Sequence, residues 1–355
     1  MPSESGSENA LASDLDGILT RSADVWRELA GARLFITGGT GFVGTWLLES
    51  FAWANRALSL DARAVVLSRD PERFAAKAPH LASDPAILLL RGDVVDFDAP
   101  AGPFTHVIHA ATEASTQQNV TDPTRMTDTI VRGTRNVLDL ARTSGARSVL
   151  FTSSGAVYGA QPSGVPLLPE EYAAGPGRPP RHSAYREAKR IAEGMCAICA
   201  AQSGLPVKVA RCFAFVGPYL PLDAHFAIGN FIRDGLAGGP IVVRGDGRPV
   251  RSYLYAADLA AWLWTILVRG EPGRAYNVGS ENGRTIAGVA RIVAATFCPV
   301  PDVSIVGASK ANRGDGGDRY VPSTSRAREE LGLRETVDLA DAVQRTVAWH
   351  RHAGS

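Results

Sequence analysis

Tyr185 and Lys189 are the residues whose types and spacing point most directly to acid–base chemistry. They lie four positions apart in a segment predicted to be helical, which places the phenol and the ammonium group on one face, one turn apart. A nearby cation favours phenolate, so Lys189 is expected to lower the pKa of Tyr185 toward neutral pH. Such a pair could exchange a proton with the oxygen of a carbonyl or carbinol.

Hydroxyl groups follow a predicted buried strand upstream of this pair, in Thr152-Ser153-Ser154. Side chains at the carboxyl end of a parallel strand lie where open α/β sheets bind ligands. A Tyr-x-x-x-Lys spacing alone is usually structural. Together with the upstream hydroxyls it becomes a candidate catalytic site.

A glycine-rich segment, Gly38-Gly39-Thr40-Gly41-Phe42-Val43-Gly44, follows one predicted strand and begins a predicted helix. Its glycines permit a tight turn, close approach of the backbone to a pyrophosphate, and tight packing of helix on strand. The helix N-terminus offers free N–H groups and a positive dipole end to phosphates. The segment therefore predicts a dinucleotide-binding site.

The end of the second predicted strand bears on which nicotinamide dinucleotide binds. An acidic residue there would accept hydrogen bonds from ribose hydroxyls, but the sequence has Ser68 and Arg69 before the first acid, Asp70. A guanidinium matches the oxygens of a 2′-phosphate. NADP(H) is favoured and NAD(H) stays possible. Asp93, followed by Val94, could reach the adenine edge or could simply form a turn.

Six short apolar runs alternate with longer helical patterns and must position these groups. The predicted strands are Arg33–Thr37, Ala64–Ser68, Ile87–Leu90, His106–His109, Ser148–Thr152 and Val207–Cys212. The predicted helices between them are Phe42–Ala54, Pro71–Leu81, Pro123–Thr143 and Tyr185–Gln202. Apolar strands spaced by helices indicate an α/β fold with a doubly wound parallel Rossmann sheet.

Three regions are expected along the chain. Residues 1–30 form an N-terminal helical extension, residues 31–205 the dinucleotide-binding Rossmann domain, and residues 206–355 mainly a smaller mixed α/β substrate-binding part. Residues 240–280 are expected to return in part to the Rossmann domain. Glu113, after the fourth strand, could approach a substrate, and Arg211 could reach a phosphate or pair with a helix end.

Composition excludes several classes of protein. Lys and Arg total 37 against 36 Asp and Glu, a balance that does not suggest nucleic-acid binding. The N-terminal residues lack a basic region followed by an apolar run, and no apolar stretch is long enough to span a membrane. Four cysteines, among them Cys196-x-x-Cys199 without a second pair, do not predict disulfides or a metal site. A cytoplasmic enzyme without nucleic-acid or membrane partners is expected.

Taken in order, the motifs resemble the extended short-chain dehydrogenase/reductases, in their nucleotide-sugar epimerase/dehydratase branch. The resemblance covers about residues 31–350. Besides the motifs above, it rests on His109-Ala110-Ala111, Arg211 through Gly217-Pro218, and Gly245-Asp246-Gly247 through Arg251-Ser252-Tyr253 to Asp258. It implies a nucleoside-diphosphate sugar as substrate, hydride transfer at a sugar carbon, most often C4, and a homodimer formed through two long helices.

The resemblance also implies individual roles. Tyr185 would be the acid/base on the sugar oxygen, Lys189 would hold the nicotinamide ribose, and Ser154 would hydrogen-bond the same sugar oxygen. His109, Ala110 and Ala111 would line the cofactor cleft. Arg251 would clamp the diphosphate.

Two positions depart from the family pattern and narrow the reaction. Dehydratases of this branch carry one or two acidic residues where this chain has Gly155 and Ala156, and the related decarboxylases carry a Glu at the second of these positions. Glycine and alanine cannot move a proton, so dehydration and decarboxylation are disfavoured. Reduction of a 4-keto sugar is favoured over 4-epimerisation with tightly bound NAD. A reductase of non-sugar carbonyls and a non-catalytic dinucleotide sensor are less favoured alternatives.

Overall fold

A parallel sheet forms the centre of the fold in the computed structural model, which describes residues 9–112, 121–173, 183–224, 226–307 and 318–353. The strands are β1 (Arg33–Thr37), β2 (Arg63–Ser68), β3 (Ile87–Arg91), β4 (His106–His109), β5 (Ser148–Ser154), β6 (Val207–Cys212), β7 (Phe215–Val216), β8 (Ile241–Val243), β9 (Val250–Arg251), β10 (Leu254–Tyr255), β11 (Ala275–Val278), β12 (Arg284–Thr285), β13 (Val303–Ile305) and β14 (Arg319–Tyr320). Within the described ranges the central sheet has seven parallel strands in the order β3-β2-β1-β4-β5-β6-β11.

Helices cover both faces of this sheet. They are α1 (Ala12–Arg21), α2 (Ala23–Glu28), α3 (Phe42–Leu58), α4 (Pro71–Lys77), α5 (Pro79–Ala82), α6 (Pro123–Thr143), α7 (Ala184–Ser203), α8 (Ala227–Leu236), α9 (Ala256–Arg269), α10 (Ile286–Ala294), α11 (Ser325–Leu331) and α12 (Leu339–Ala353). The side chains of β1 alternate, so Leu34 and Ile36 join the core under α3 and α9, whereas Phe35 joins the core under α6 and α7. Burial on both faces explains why the strands have nearly continuous apolar sequences.

The order of the strands defines where a ligand can bind. From β1 the chain builds outward to β2 and β3, then crosses back to β4 on the other side of β1. At such a reversal the loops after the two neighbouring strands diverge and leave a crevice at the carboxyl edge. The doubly wound Rossmann sheet predicted from the sequence is confirmed.

The segment before β1 packs on the main body through buried apolar side chains. Trp26 is fully buried and its ring lies 5.0 Å from that of Trp264 on α9. The Tyr255 hydroxyl donates to the Asp14 carboxylate at 2.5 Å, and Arg345 on α12 contacts the same carboxylate. These contacts join the first helix to the last one.

Some boundaries differ from those predicted. The expected helix over residues 71–81 is two helices, because Ala78 precedes Pro79 and takes a non-helical conformation (φ −139°, ψ 68°). The first long helix continues to Leu58 and ends at Ser59, which is left-handed with a φ of 51°.

No helix in the described ranges combines the length and apolarity needed to cross a membrane.

Candidate active site

A cavity of about 500 Å³ lies at the carboxyl edge of the sheet, where β1 and β4 diverge. Its walls come from loops after the strands and from the segment that follows β6. The residues that line it are Thr37, Gly38, Thr40, Gly41, Phe42, Val43, Gly44, Leu67, Ser68, Arg69, Gly92, Asp93, Val94, Ala110, Ala111, Thr112, Thr129, Thr152, Ser153, Ser154, Tyr185, Cys212, Phe213, Ala214, Phe215, Leu220, Pro221, Phe226 and Tyr253.

The glycine-rich loop has the shape that a pyrophosphate requires. Gly38 has a φ of +73°, and a Cβ there would overlap the Ala110 carbonyl. A Cβ on Gly44 would overlap the Gly38 oxygen, so only glycine allows α3 to begin this close to β1. At Gly41 the nearest atom to a Cβ would be 3.5 Å away, and this residue caps α3 beside the cavity. The first N–H groups of α3 therefore lie at the cavity wall without helical acceptors.

At the ends of β2 and β3 the cavity is lined by Ser68, Arg69 and Asp93. The first acid after β2, Asp70, accepts a hydrogen bond from the Arg73 backbone N–H at 3.0 Å and so caps α4. Asp93 accepts from the Val95 N–H at 3.1 Å. The acid nearest to β2 thus serves as a helix cap, while a serine and an arginine line the cavity.

Tyr185, at the first turn of α7, lines the same cavity as Ser154, at the end of β5. Burial raises the pKa of Tyr185 to about 12, and the hydroxyls of Ser154 and Thr112 act against this increase. Desolvation is the largest of these effects, and the expected contribution of Lys189 to this pKa stays a prediction. At neutral pH the phenol is protonated.

Lys189 lies one turn further along α7, behind Tyr185. Its side chain is 1% exposed, and Nζ donates to the Thr152 carbonyl at 2.7 Å and lies 6.0 Å from the Tyr185 ring centre. Nζ also lies 4.8 Å from the centre of the Phe151 ring. Burial lowers the pKa of Lys189 to about 8. The structure thus places the phenol and the Ser154 hydroxyl at the cavity wall, with the Lys189 amine buried behind them.

His109 lies behind the cavity wall, whereas Ala110 and Ala111 line it. The Thr134 hydroxyl donates its hydrogen to the Ile130 carbonyl and therefore accepts from His109 Nε2, 3.1 Å away. This assigns Nδ1 as the acceptor from Thr37 Oγ1, at 2.7 Å, and Thr37 Oγ1 in turn accepts from the Ala111 N–H. Burial lowers the pKa of His109 to about 3. The imidazole is neutral and, through Thr37, it joins the end of β1 to the segment that follows β4.

Two residues expected at the substrate, Arg211 and Arg251, are not brought to this cavity. The Arg211 guanidinium faces the opposite side of β6, where it pairs with Glu193 at 2.8 Å and donates to the Tyr158 hydroxyl at 2.9 Å. Arg251 pairs with Asp318 at 2.8 Å and lies outside the cavity wall. Glu113 lies outside the described residues. Neighbouring residues on a strand face opposite sides, so Arg211 points away from the cavity. Its ion pair with Glu193 instead stabilises the packing of α7 on the sheet.

Sequence reasoning missed four residues around Tyr185. Thr112, Cys212 and Phe213 line the cavity, and Tyr320 on β14 contacts Phe213 with ring centres 4.5 Å apart. Only the position of Cys212 at the end of β6, level with Ser154 on β5, carries a signal in the sequence. Tyr320 comes from a distant two-residue strand with no recognisable pattern.

Comparison with known proteins agrees with this architecture. The family model described as NAD dependent epimerase/dehydratase family matches residues 34–279. The chain belongs to this family. The resemblance inferred from the motifs is thereby confirmed, and the protein is an enzyme of an NAD-dependent family.

Relatives within the epimerase/dehydratase family have several activities. UDP-glucuronic acid decarboxylase 1 of Arabidopsis thaliana is 29% identical over 320 residues, which is 90% of this chain and 70% of the relative. A dTDP-glucose 4,6-dehydratase of Streptomyces antibioticus is 27% identical over 321 residues, 90% of this chain and 92% of the relative. The solved structure of a dTDP-glucose 4,6-dehydratase from Streptomyces venezuelae, with NAD bound, has 26% identity and a TM-score of 0.73, with 90% and 97% of the two chains covered.

The described cavity fits the dinucleotide that the family requires. The glycine loop leaves no room for side chains against the Ala110 loop, and the N–H groups of α3 lie at its wall. Tyr185, Ser154 and Lys189 lie at the opposite end from Ser68 and Arg69 along the strand order, since β5 and β2 flank β4 and β1. The cavity therefore extends from the end of β2 to the end of β5, as a dinucleotide site requires.

Proposed function

We propose that the protein reduces the keto group of a 4-keto nucleoside-diphosphate sugar to an alcohol, with a nicotinamide dinucleotide as the hydride donor. The observation that carries the proposal is the set of side chains at the cavity. Among the described residues that line it, Asp93 is the only carboxylate, and it lies at the end of β3, away from Tyr185. Elimination of water needs its own acid and base beside the sugar. Reduction needs only one proton donor.

The state of Tyr185 supports the reductive direction. A bound reduced nicotinamide would supply the hydride for the carbonyl carbon and be left oxidised. The Tyr185 phenol would give its proton to the carbonyl oxygen, which leaves an alcohol and a phenolate. A phenol is protonated at neutral pH, and burial raises the pKa of Tyr185 further, so Tyr185 is able to donate. Ser154 orients the carbonyl oxygen, and the Lys189 amine behind the ring stabilises the phenolate that is left.

NADP(H) is the favoured dinucleotide. Ser68 and Arg69 line the cavity where the adenosine ribose would lie, and the carboxylate of Asp70 is engaged as the cap of α4. A guanidinium and a hydroxyl there suit a 2′-phosphate better than a ribose diol.

The nucleotide sugar is proposed to bind between residues 31–205 and the part after residue 206. That second part contributes Leu220, Pro221 and Phe226 to the cavity. Arg251 can serve as the diphosphate clamp if the phosphate takes the place of the Asp318 carboxylate. A homodimer through α6 and α7 is proposed as well, since Ile191 and Ile198 on α7 are 50% and 58% exposed and lie on one face.

The direct test is to mix the protein with 4-keto-6-deoxy nucleotide sugars and either NADPH or NADH. Loss of reduced-nicotinamide absorbance with such a sugar, faster with NADPH, is the expected result. The second candidate, a 4-epimerase, needs the same Tyr185, Lys189 and Ser154 and no further acid. Purified protein that carries tightly bound NAD and interconverts UDP-sugars without added cofactor would favour the epimerase over the reductase.

A further inference from the structure

The backbone of Gly155 faces a second phenol. Gly155 begins a short 3-10 turn directly after Ser154. A Cβ at Gly155 would lie 2.5 Å from the Tyr320 oxygen and 2.6 Å from Cζ of Phe213, closer than real Cβ contacts allow. The Tyr320 phenol thus occupies the space that a side chain at position 155 would need.

Tyr320 is held firmly in this place. Its strand, β14, pairs with β9 so that Tyr320 lies opposite Arg251, whose guanidinium is 6.0 Å from the Tyr320 ring centre. On the other side the ring packs on Phe213, with centres 4.5 Å apart. The C-terminal part of the chain therefore delivers a phenol to the end of β5.

Ser154 lies beside two phenols: Tyr185 lines the same cavity, and the Tyr320 oxygen lies against Gly155, the residue that directly follows Ser154. Burial raises the pKa of Tyr320, and the Ser154 hydroxyl acts against this increase, as it does for Tyr185. Ser154 Oγ also accepts a hydrogen bond from the Ala156 N–H at 3.1 Å. A serine hydroxyl has one hydrogen and two acceptor positions. If Tyr320 donates to the second acceptor position, the Ser154 hydrogen is left to point toward Tyr185 and the substrate oxygen.

We propose that Tyr320 is a positioning residue, which occupies the place left by the missing side chain of Gly155 and fixes the Ser154 hydroxyl toward Tyr185. The proposal deepens the proposed function and its kinetic part rests on it. The two residues depend on each other. Glycine at position 155 leaves space for the Tyr320 phenol, and the phenol orients the Ser154 hydroxyl without placing a carboxylate beside it.

The contact itself can be tested without any substrate. Thermal or urea unfolding of Ser154→Ala, Tyr320→Phe and the double variant forms a double-mutant cycle. We expect the double variant to be destabilised less than the sum of the single variants, because both remove the same interaction. Tyr320→Phe retains the ring on Phe213, so the fold is preserved. Additive effects would overturn the proposal.

The role in turnover is tested with the 4-keto sugar and NADPH. Tyr320→Phe should lower kcat by about fivefold to tenfold, the size expected for one neutral hydrogen bond, with KM for NADPH unchanged. Its rate should persist to higher pH, because a less oriented Ser154 no longer lowers the pKa of Tyr185. In a Ser154→Ala background the same substitution should change kcat by less than about twofold. A full further loss there would show that Tyr320 acts independently of Ser154.

Tyr276→Phe is the matched control. Tyr276 is fully buried and donates to Glu330 at 2.9 Å, and it does not line the cavity. It should lose stability without changing the pH profile. Gly155→Ala, which would displace Tyr320, should reproduce the kinetic defect of Tyr320→Phe if it folds. Should the wild type turn over neither keto sugars nor UDP-sugars, the proposed function fails, while the unfolding cycle still decides whether Tyr320 holds Ser154.

Discussion

Replacing Lys189 by Met should make the protein more stable and less active at the same time. The Lys189 side chain is almost fully buried, and burial lowers the pKa of its amine from 10.5 to about 8. At about 1.4 kcal/mol per pH unit, the charged amine costs the folded state about 3 kcal/mol at neutral pH. The hydrogen bond from Nζ to the Thr152 carbonyl stabilises the folded state by about 1 kcal/mol and so offsets part of this cost. We expect Lys189→Met to gain about 2 kcal/mol at pH 7, as the difference of these two effects.

The sign of the pH dependence gives the assay. The unfolded chain keeps its lysine proton up to about pH 10.5, whereas the folded chain releases it near pH 8, so the cost is fully present below pH 8 and disappears as the pH rises toward 10.5. Urea unfolding of the wild type and Lys189→Met at pH 7 and pH 10 should show the gap in unfolding free energy closing at high pH. Turnover should fall by about 100-fold or more, because the phenolate loses its cation. A gap that stays constant with pH would refute the reasoning.

Three further outcomes are expected. Arg69→Ala should weaken NADPH binding by about 10- to 100-fold and leave NADH binding unchanged, as measured by fluorescence titration, whereas the exposed Arg63→Ala should change neither. The free energy of unfolding should fall as the pH drops below about 6.5. Histidines of the unfolded chain become protonated there, whereas burial lowers the pKa of His106 to about 4 and of His109 to about 3 in the folded chain. Replacing both by Gln should reduce the dependence of the unfolding free energy on pH, as measured by urea titrations. Ile191→Glu should convert a dimer to a monomer in sedimentation, and a persisting dimer would contradict an interface on α7.

The sheet could be predicted from the sequence because each strand is an apolar run that is buried on both faces. The glycine loop and the Tyr185–Lys189 pair could also be located, since both depend on local spacing. What local spacing does not contain is the orientation of a strand: Arg211 and Cys212 are neighbours, and only the fold determines which of them faces the cavity.

Burial was the second missing quantity. Sequence reasoning placed a cation near Tyr185 and so predicted a lower pKa, but the desolvation of the phenol outweighs that effect. Tyr320 was out of reach for another reason, because it arrives from a two-residue strand far along the chain. The missing side chain at Gly155 was visible in the sequence, but the phenol that occupies its place was not.

The most direct test of the account is single-turnover reduction of a 4-keto nucleotide sugar by the Tyr185→Phe protein, with NADPH binding measured on the same sample. Phe retains the ring and removes only the proton that the carbonyl oxygen must receive. The account predicts unchanged NADPH affinity and hydride transfer slowed by about 100- to 10,000-fold. Hydride transfer at nearly the wild-type rate, with the dinucleotide bound, would contradict it.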